Sequence, residues 1–163
     1  MMKITKSTRH AKIAGDFGES LVLYWLSKHG FECAKIDHTG IDLIASRTGT
    51  KERFGISVKA RTRLVGTERT NLIMSRSHFV GIEKACHAFG LKPYLAIVVE
   101  AGEVIHAYIM PLALAQKHCT SKADHYWKMT EDSKAKYKKD RGIMKFDLKI
   151  NQGHWWGFTP DSN

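Results

Sequence analysis

The chain has 163 residues, 43% of them apolar, which is length and core enough for one domain spanning 1–163. Its formal charge of +10 favours a polyanionic partner, either nucleic acid or an anionic membrane face. No apolar run reaches the ~18 residues of a membrane span and the Met-Met-Lys start lacks a secretory core, so no membrane association is expected. Cys33, Cys86 and Cys119 are far apart and odd in number, which excludes a disulfide framework or a CxxC zinc site and points to a reducing cytoplasm.

Residues 12–27 read as a helix whose apolar positions, Ile13, Ala14, Phe17, Gly18, Leu21, Val22, Tyr24 and Trp25, fill one broad arc. An arc that wide predicts a largely buried helix laid on a sheet, ended by Gly30. Residues 31–36, 41–46 and 53–61 read as strands, the last two joined by the turn-forming Thr48-Gly49-Thr50. In the third strand Phe54, Ile56, Val58 and Ala60 alternate with Gly55, Ser57, Lys59 and Arg61, which predicts one core face and one wet face. Residues 77–89 form a second predicted helix with Ser77 as its N-cap, closed by Gly90 and Pro93. The continuous apolar run at 94–99 marks a central strand, paired with 104–110 across Ala101-Gly102-Glu103. A short helix at 112–118, a lysine-rich helix or loop at 133–141 and an alternating edge strand at 143–150 follow. Trp155 and Trp156 are expected to cover core.

The second and third strands can be set against each other by their apolar alternation. Leu43 opposite Val58 also pairs Ile41 with Ala60 and Ala45 with Ile56; a shift by two keeps the same faces together. This register puts Asp42 opposite Lys59, with Ser57 on the same face. Glu19 lies on the upstream helix beside Val22, Leu23 and Leu26, away from its polar centre at Asp16 and Ser20. A carboxylate and an amine on one face suit phosphodiester cleavage, which needs a cation to neutralise phosphate, a positioned water and help for the leaving oxygen. Mg²⁺ takes hard oxygen ligands and keeps several waters, so Asp42 with one further acid suffices. Arg61 and Arg63 continue the face toward neighbouring phosphates, and Arg76 and His38 are further phosphate candidates. Lys134, Lys136, Lys138, Lys139 and Arg141 form the densest basic run, either a backbone track or a solvated face. His118, Cys119 and His125 lack a fourth partner at zinc-finger spacing.

Gly15-Asp16-Phe17-Gly18-Glu19-Ser20, Gly40-Ile41-Asp42-Leu43-Ile44 and Ser57-Val58-Lys59, in this order and on these elements, resemble the PD-(D/E)XK nuclease superfamily, which includes restriction endonucleases and archaeal Holliday-junction resolvases. The resemblance covers roughly residues 11–99. It implies a restriction-endonuclease-like α/β fold: a mixed central sheet flanked by helices, with an αβββαβ core at about 11–110 and a basic C-terminal elaboration at 111–163. It further implies a Mg²⁺- or Mn²⁺-dependent nuclease that often dimerises. Asp42 would be the metal carboxylate, Glu19 an accessory acid, the Val58 carbonyl a further metal contact and Lys59 the catalytic lysine. Ile41 stands where the family name has proline, a harmless variation. Ser57 stands where Asp, Glu or Gln is usual, which removes a charged ligand.

The expected function is therefore metal-dependent hydrolysis of nucleic acid, DNA foremost. A catalytically degenerate nucleic-acid-binding or assembly module on the same fold is the alternative that Ser57 raises. A metal-independent RNA endonuclease would need a Tyr/His/Lys cluster that no spacing here singles out.

Overall fold

The computed structural model describes residues 5–150. Helix α1 (His10–Lys28) buries Ala14, Gly18, Val22 and Leu26, a stripe at four-residue spacing. The helix is less buried than its wide apolar arc predicts: Ile13, Phe17 and Tyr24 are 53%, 47% and 56% exposed. One flat sheet face covers only a stripe of a helix, and the remaining apolar residues are left outward. Gly18 sets the approach, because a Cβ there would lie 2.6 Å from the Ala60 Cβ.

Strands β1 (Phe31–Lys35), β2 (Leu43–Arg47) and β3 (Arg53–Thr62) form an antiparallel meander. Leu43 pairs with Ile56, so the register is the one shifted by two, and Asp42 does not face Lys59 directly. The reason is a break in the strand just before β2: Ile41 packs in the core under the second helix while Leu43 packs under α1. Alternation fixes which residues share a face, and it cannot fix the register across such a break. Nor is one face of β3 wet, because Gly55 and Ser57 are buried along with Phe54 and Ile56.

After β3 the chain forms β4 (Leu72–Met74) and then α2 (Arg76–Phe89). The N-cap is Ser75, not Ser77: its backbone is extended and its side chain accepts the His78 N–H at 3.2 Å, whereas Ser77 is already helical. Gly90 closes the helix in the left-handed conformation, φ 64°. Strand β5 (Lys92–Ala101) returns parallel to β3, and β6 (Val104–Pro111) pairs antiparallel with β5. The remaining elements are α3 (Leu112–His118), β7 (Thr120–Ser121), β8 (His125–Trp127), α4 (Glu131–Lys139) and β9 (Met144–Lys149).

The main sheet has six strands in the order β1-β2-β3-β5-β6-β9, with β9 the predicted edge strand. The core divides at the sheet. Helix α1 covers one face; α2, α3 and the C-terminal elements cover the other, where Trp127 and Tyr137 stack at 3.8 Å between ring centroids. The three-stranded sheet β4-β8-β7 has no counterpart in the sequence pattern, since strands of two or three residues carry no readable period. Trp155 and Trp156 lie outside the described residues. No described helix is long and apolar enough to cross a membrane.

Candidate active site on the third strand

The ladder between β2 and β3 ends at Leu43 and Ile56, so the backbone of Val58 points toward β2 with no strand partner there. Asp42 fills that place. Its Oδ2 accepts the Val58 N–H at 2.6 Å and the Ser57 hydroxyl at 3.3 Å. The N–H and C=O of a strand residue point the same way, so the Val58 carbonyl is directed to the same opening. A second close approach holds Asp42 here: a Cβ at Gly40 would lie 2.4 Å from the Gly81 carbonyl of α2, so only glycine lets the preceding loop press onto that helix.

Ser57 and Lys59 share the face of β3 that looks toward α2, because their parallel partners on β5, Leu95 and Ile97, belong to the core on that side. Ser57 is 3% exposed, and its Oγ lies 3.3 Å from the His78 Nε2 in the first turn of α2. Burial lowers the pKa of the half-buried Lys59 ammonium and the Arg61 charge adds to this, while Asp42 opposes it. Burial, and then the Lys59 charge, push the His78 imidazole down to about 4, so it is neutral at pH 7. Asp42, Ser57, Lys59 and His78 thus form one group where β3, the loop before β2 and the start of α2 meet.

The sequence does not single out His78, which lies on the predicted helix with no spacing that marks it. The signal is topological: a helix connecting two parallel strands runs back against them, so its first turn stands over the latter half of the first strand.

The other candidates separate. Glu19 has its carboxylate 3.5 Å from the Lys35 Nζ, which also reaches the Ser20 hydroxyl at 3.0 Å. Lys35 pairs with Leu43, which packs beneath α1, so this ion pair is on the α1 side of the sheet. Arg61 is exposed and donates to the carbonyl of Ala60 at 2.8 Å. Arg63 braces the loop before β4, its Nη2 donating to the carbonyls of Thr70 at 3.1 Å and Asn71 at 3.0 Å. Exposed Arg76 opens α2 and donates to the Lys122 carbonyl. His38 is placed away from the site. Its Nδ1 accepts the Gly40 N–H at 3.1 Å and its ring meets Phe89 edge-on at the last turn of α2, about 16 Å along that helix from His78.

Among the described residues no group of three or more His, Cys, Asp or Glu side chains is placed to hold a metal ion. The oxygen donors at the opening are the Asp42 carboxylate, the Val58 carbonyl and the Ser57 hydroxyl. That set fits a hard cation that keeps most of its water.

No family model matches the sequence, and no curated protein matches it. Among solved structures the chain is similar to Hjc of Archaeoglobus fulgidus, a Holliday junction resolvase from an archaeal hyperthermophile, with a TM-score of 0.52 and 18% identity. The match covers 73% of this chain and 85% of that one. The likeness is one of fold, a mixed sheet flanked by helices.

Proposed function

We propose that this chain is a metal-dependent endonuclease that hydrolyses DNA phosphodiester bonds. The observation that carries the reading is the nearness of Asp42 and Lys59 at one opening beside the edge of Val58, where the β2–β3 ladder has ended. Asp42 and the Val58 carbonyl would hold Mg²⁺ or Mn²⁺, while Glu19, the accessory acid expected from the sequence, stays paired with Lys35 on the α1 side of the sheet. When bound, the cation neutralises the phosphate and activates a water. Lys59 orients that water or stabilises the charge that grows on phosphorus, and its partly desolvated amine is suited to both. Ser57 holds Asp42 by a hydrogen bond where a charged ligand would otherwise stand. Arg61 and Arg76, both exposed, meet flanking phosphates, and the net charge of +10 draws the polyanion in. The protein acts in a reducing cytoplasm as a homodimer, for which the exposed Ile13, Phe17 and Tyr24 stripe on α1 supplies an apolar surface.

Ser57 and the Glu19–Lys35 pair also favour a second reading, a non-cutting nucleic-acid-binding module. One assay separates them. Duplex, nicked, branched and single-stranded DNA are incubated with Mg²⁺ or Mn²⁺ and the wild type, Asp42→Ala, Lys59→Ala or Ser57→Glu. Metal-stimulated cutting by the wild type, lost in the first two variants with DNA affinity retained, supports the nuclease. Salt-sensitive binding without cutting, and cutting gained in Ser57→Glu, supports the module.

A further inference from the structure

We infer that His78 is a metal donor of this site and that it shifts the preferred cation from Mg²⁺ to Mn²⁺. The inference rests on the metal-dependent reading above and adds a ligand that reading does not use.

The Ser57 hydroxyl stands between two groups, 3.3 Å from the Asp42 Oδ2 and 3.3 Å from the His78 Nε2. Carboxylate and imidazole therefore both reach one hydroxyl, beside the Val58 backbone. With the Ser57 proton given to Asp42, that contact places the His78 proton on Nε2; a cation at this point would be met by the Nδ1–H tautomer, whose Nε2 lone pair then faces it. The backbone N–H of His78 is capped by the Ser75 hydroxyl at 3.2 Å, and its ring stands perpendicular to that of Phe79, a core residue 2% exposed, at 6.2 Å between centroids. A bond to Ser57 alone would serve to dock α2, but it would not call for a carboxylate on the other side of the same hydroxyl.

The donor chemistry then sets the metal. Glu19 is engaged by Lys35, which leaves Asp42 as the one carboxylate at the opening among the described residues. Carboxylate, carbonyl and water suit Mg²⁺ and Mn²⁺ alike, while imidazole is a ligand of first-row transition-metal ions, and Mn²⁺ is the member of that row that shares the oxygen preference of Mg²⁺. A set of one carboxylate, one carbonyl and one imidazole is therefore a poor Mg²⁺ site and an acceptable Mn²⁺ site.

Pulsed electron paramagnetic resonance of the full chain loaded with Mn²⁺ tests this without reference to cleavage. The expected result is a bound ion showing the coupling of one directly ligated imidazole nitrogen. In His78→Gln that coupling disappears, the Mn²⁺ dissociation constant rises by ~10-fold or more, as loss even of an outer partner costs ~10–100-fold, and the preference for Mn²⁺ over Mg²⁺ narrows. Ser57→Ala keeps the coupling. The wild-type spectrum decides even if a variant folds poorly. Mn²⁺ bound through Asp42, so lost in Asp42→Asn, but without nitrogen coupling overturns the role of His78 and leaves the metal-dependent reading standing. No Mn²⁺ bound by the wild type overturns both.

Discussion

The Asp42 carboxylate accepts the backbone N–H of Val58 at 2.6 Å, so the acid at the centre of the site also closes the gap in the ladder between β2 and β3. Structure and chemistry therefore depend on the same side chain, and they can be separated by substitution. Asp42→Ala leaves the Val58 N–H and the Ser57 hydroxyl without their acceptor and is expected to cost about 1–3 kcal/mol. Asp42→Asn keeps an acceptor oxygen and is expected to recover most of that stability while losing metal binding and cleavage. Urea denaturation of the two variants beside a Mn²⁺ titration checks the separation; equal stability in both variants would remove the structural role.

Lys59 presents the opposite case. Its ammonium is half-buried, and burial outweighs the attraction of Asp42 in lowering its pKa. Lys59→Met keeps the stem and removes the desolvated charge, so stability holds or rises. Cleavage falls by ~10²–10⁴-fold, the usual contribution of a positioned proton donor or acceptor. Thermal melts and single-turnover rates on one DNA substrate give both numbers.

His78 makes stability depend on pH. In the folded chain its imidazole titrates at about 4, against an ordinary value of 6.5, so between these limits the unfolded chain binds the extra proton. Stability in metal-free buffer is therefore full above about pH 6.5 and declines as the pH falls toward 4. His78→Gln flattens this slope. Denaturant midpoints at steps through that window measure it, and a slope of the same size in the variant would assign the effect to another group.

Two glycines of α1 separate helix propensity from packing. At Gly15 an added Cβ would have nothing within 4 Å, so Gly15→Ala is expected to stabilise by up to about 1 kcal/mol. At Gly18 the same change puts a Cβ 2.6 Å from that of Ala60, and the overpacking, typically about 1–3 kcal/mol, exceeds the propensity gain. Gly18→Ala should lower the melting temperature and Gly15→Ala should raise it.

These residues also show what a linear sequence makes legible. Helices α1 and α2 and strands β3, β5 and β6 are long enough for their periods to be read, and the parity of β2 against β3 puts Asp42, Ser57 and Lys59 on one side correctly. The register differs by two because the chain breaks between Ile41 and Leu43, which alternation cannot see. His78 reaches Ser57 through a crossover, a contact made by topology and not by spacing. Arg63 reads as one more surface charge, yet its guanidinium donates to the carbonyls of Thr70 and Asn71, which become available only once the loop has formed.

The central claim is that the opening between Asp42 and Lys59 cuts phosphodiesters with a divalent cation. Its most direct measurement is end-labelled DNA cleavage by the wild type and by Lys59→Met, with and without Mn²⁺, at matched folding and matched DNA occupancy. The expected result is cutting only by the wild type and only with the cation; metal-stimulated cutting by Lys59→Met at the wild-type rate would contradict the claim.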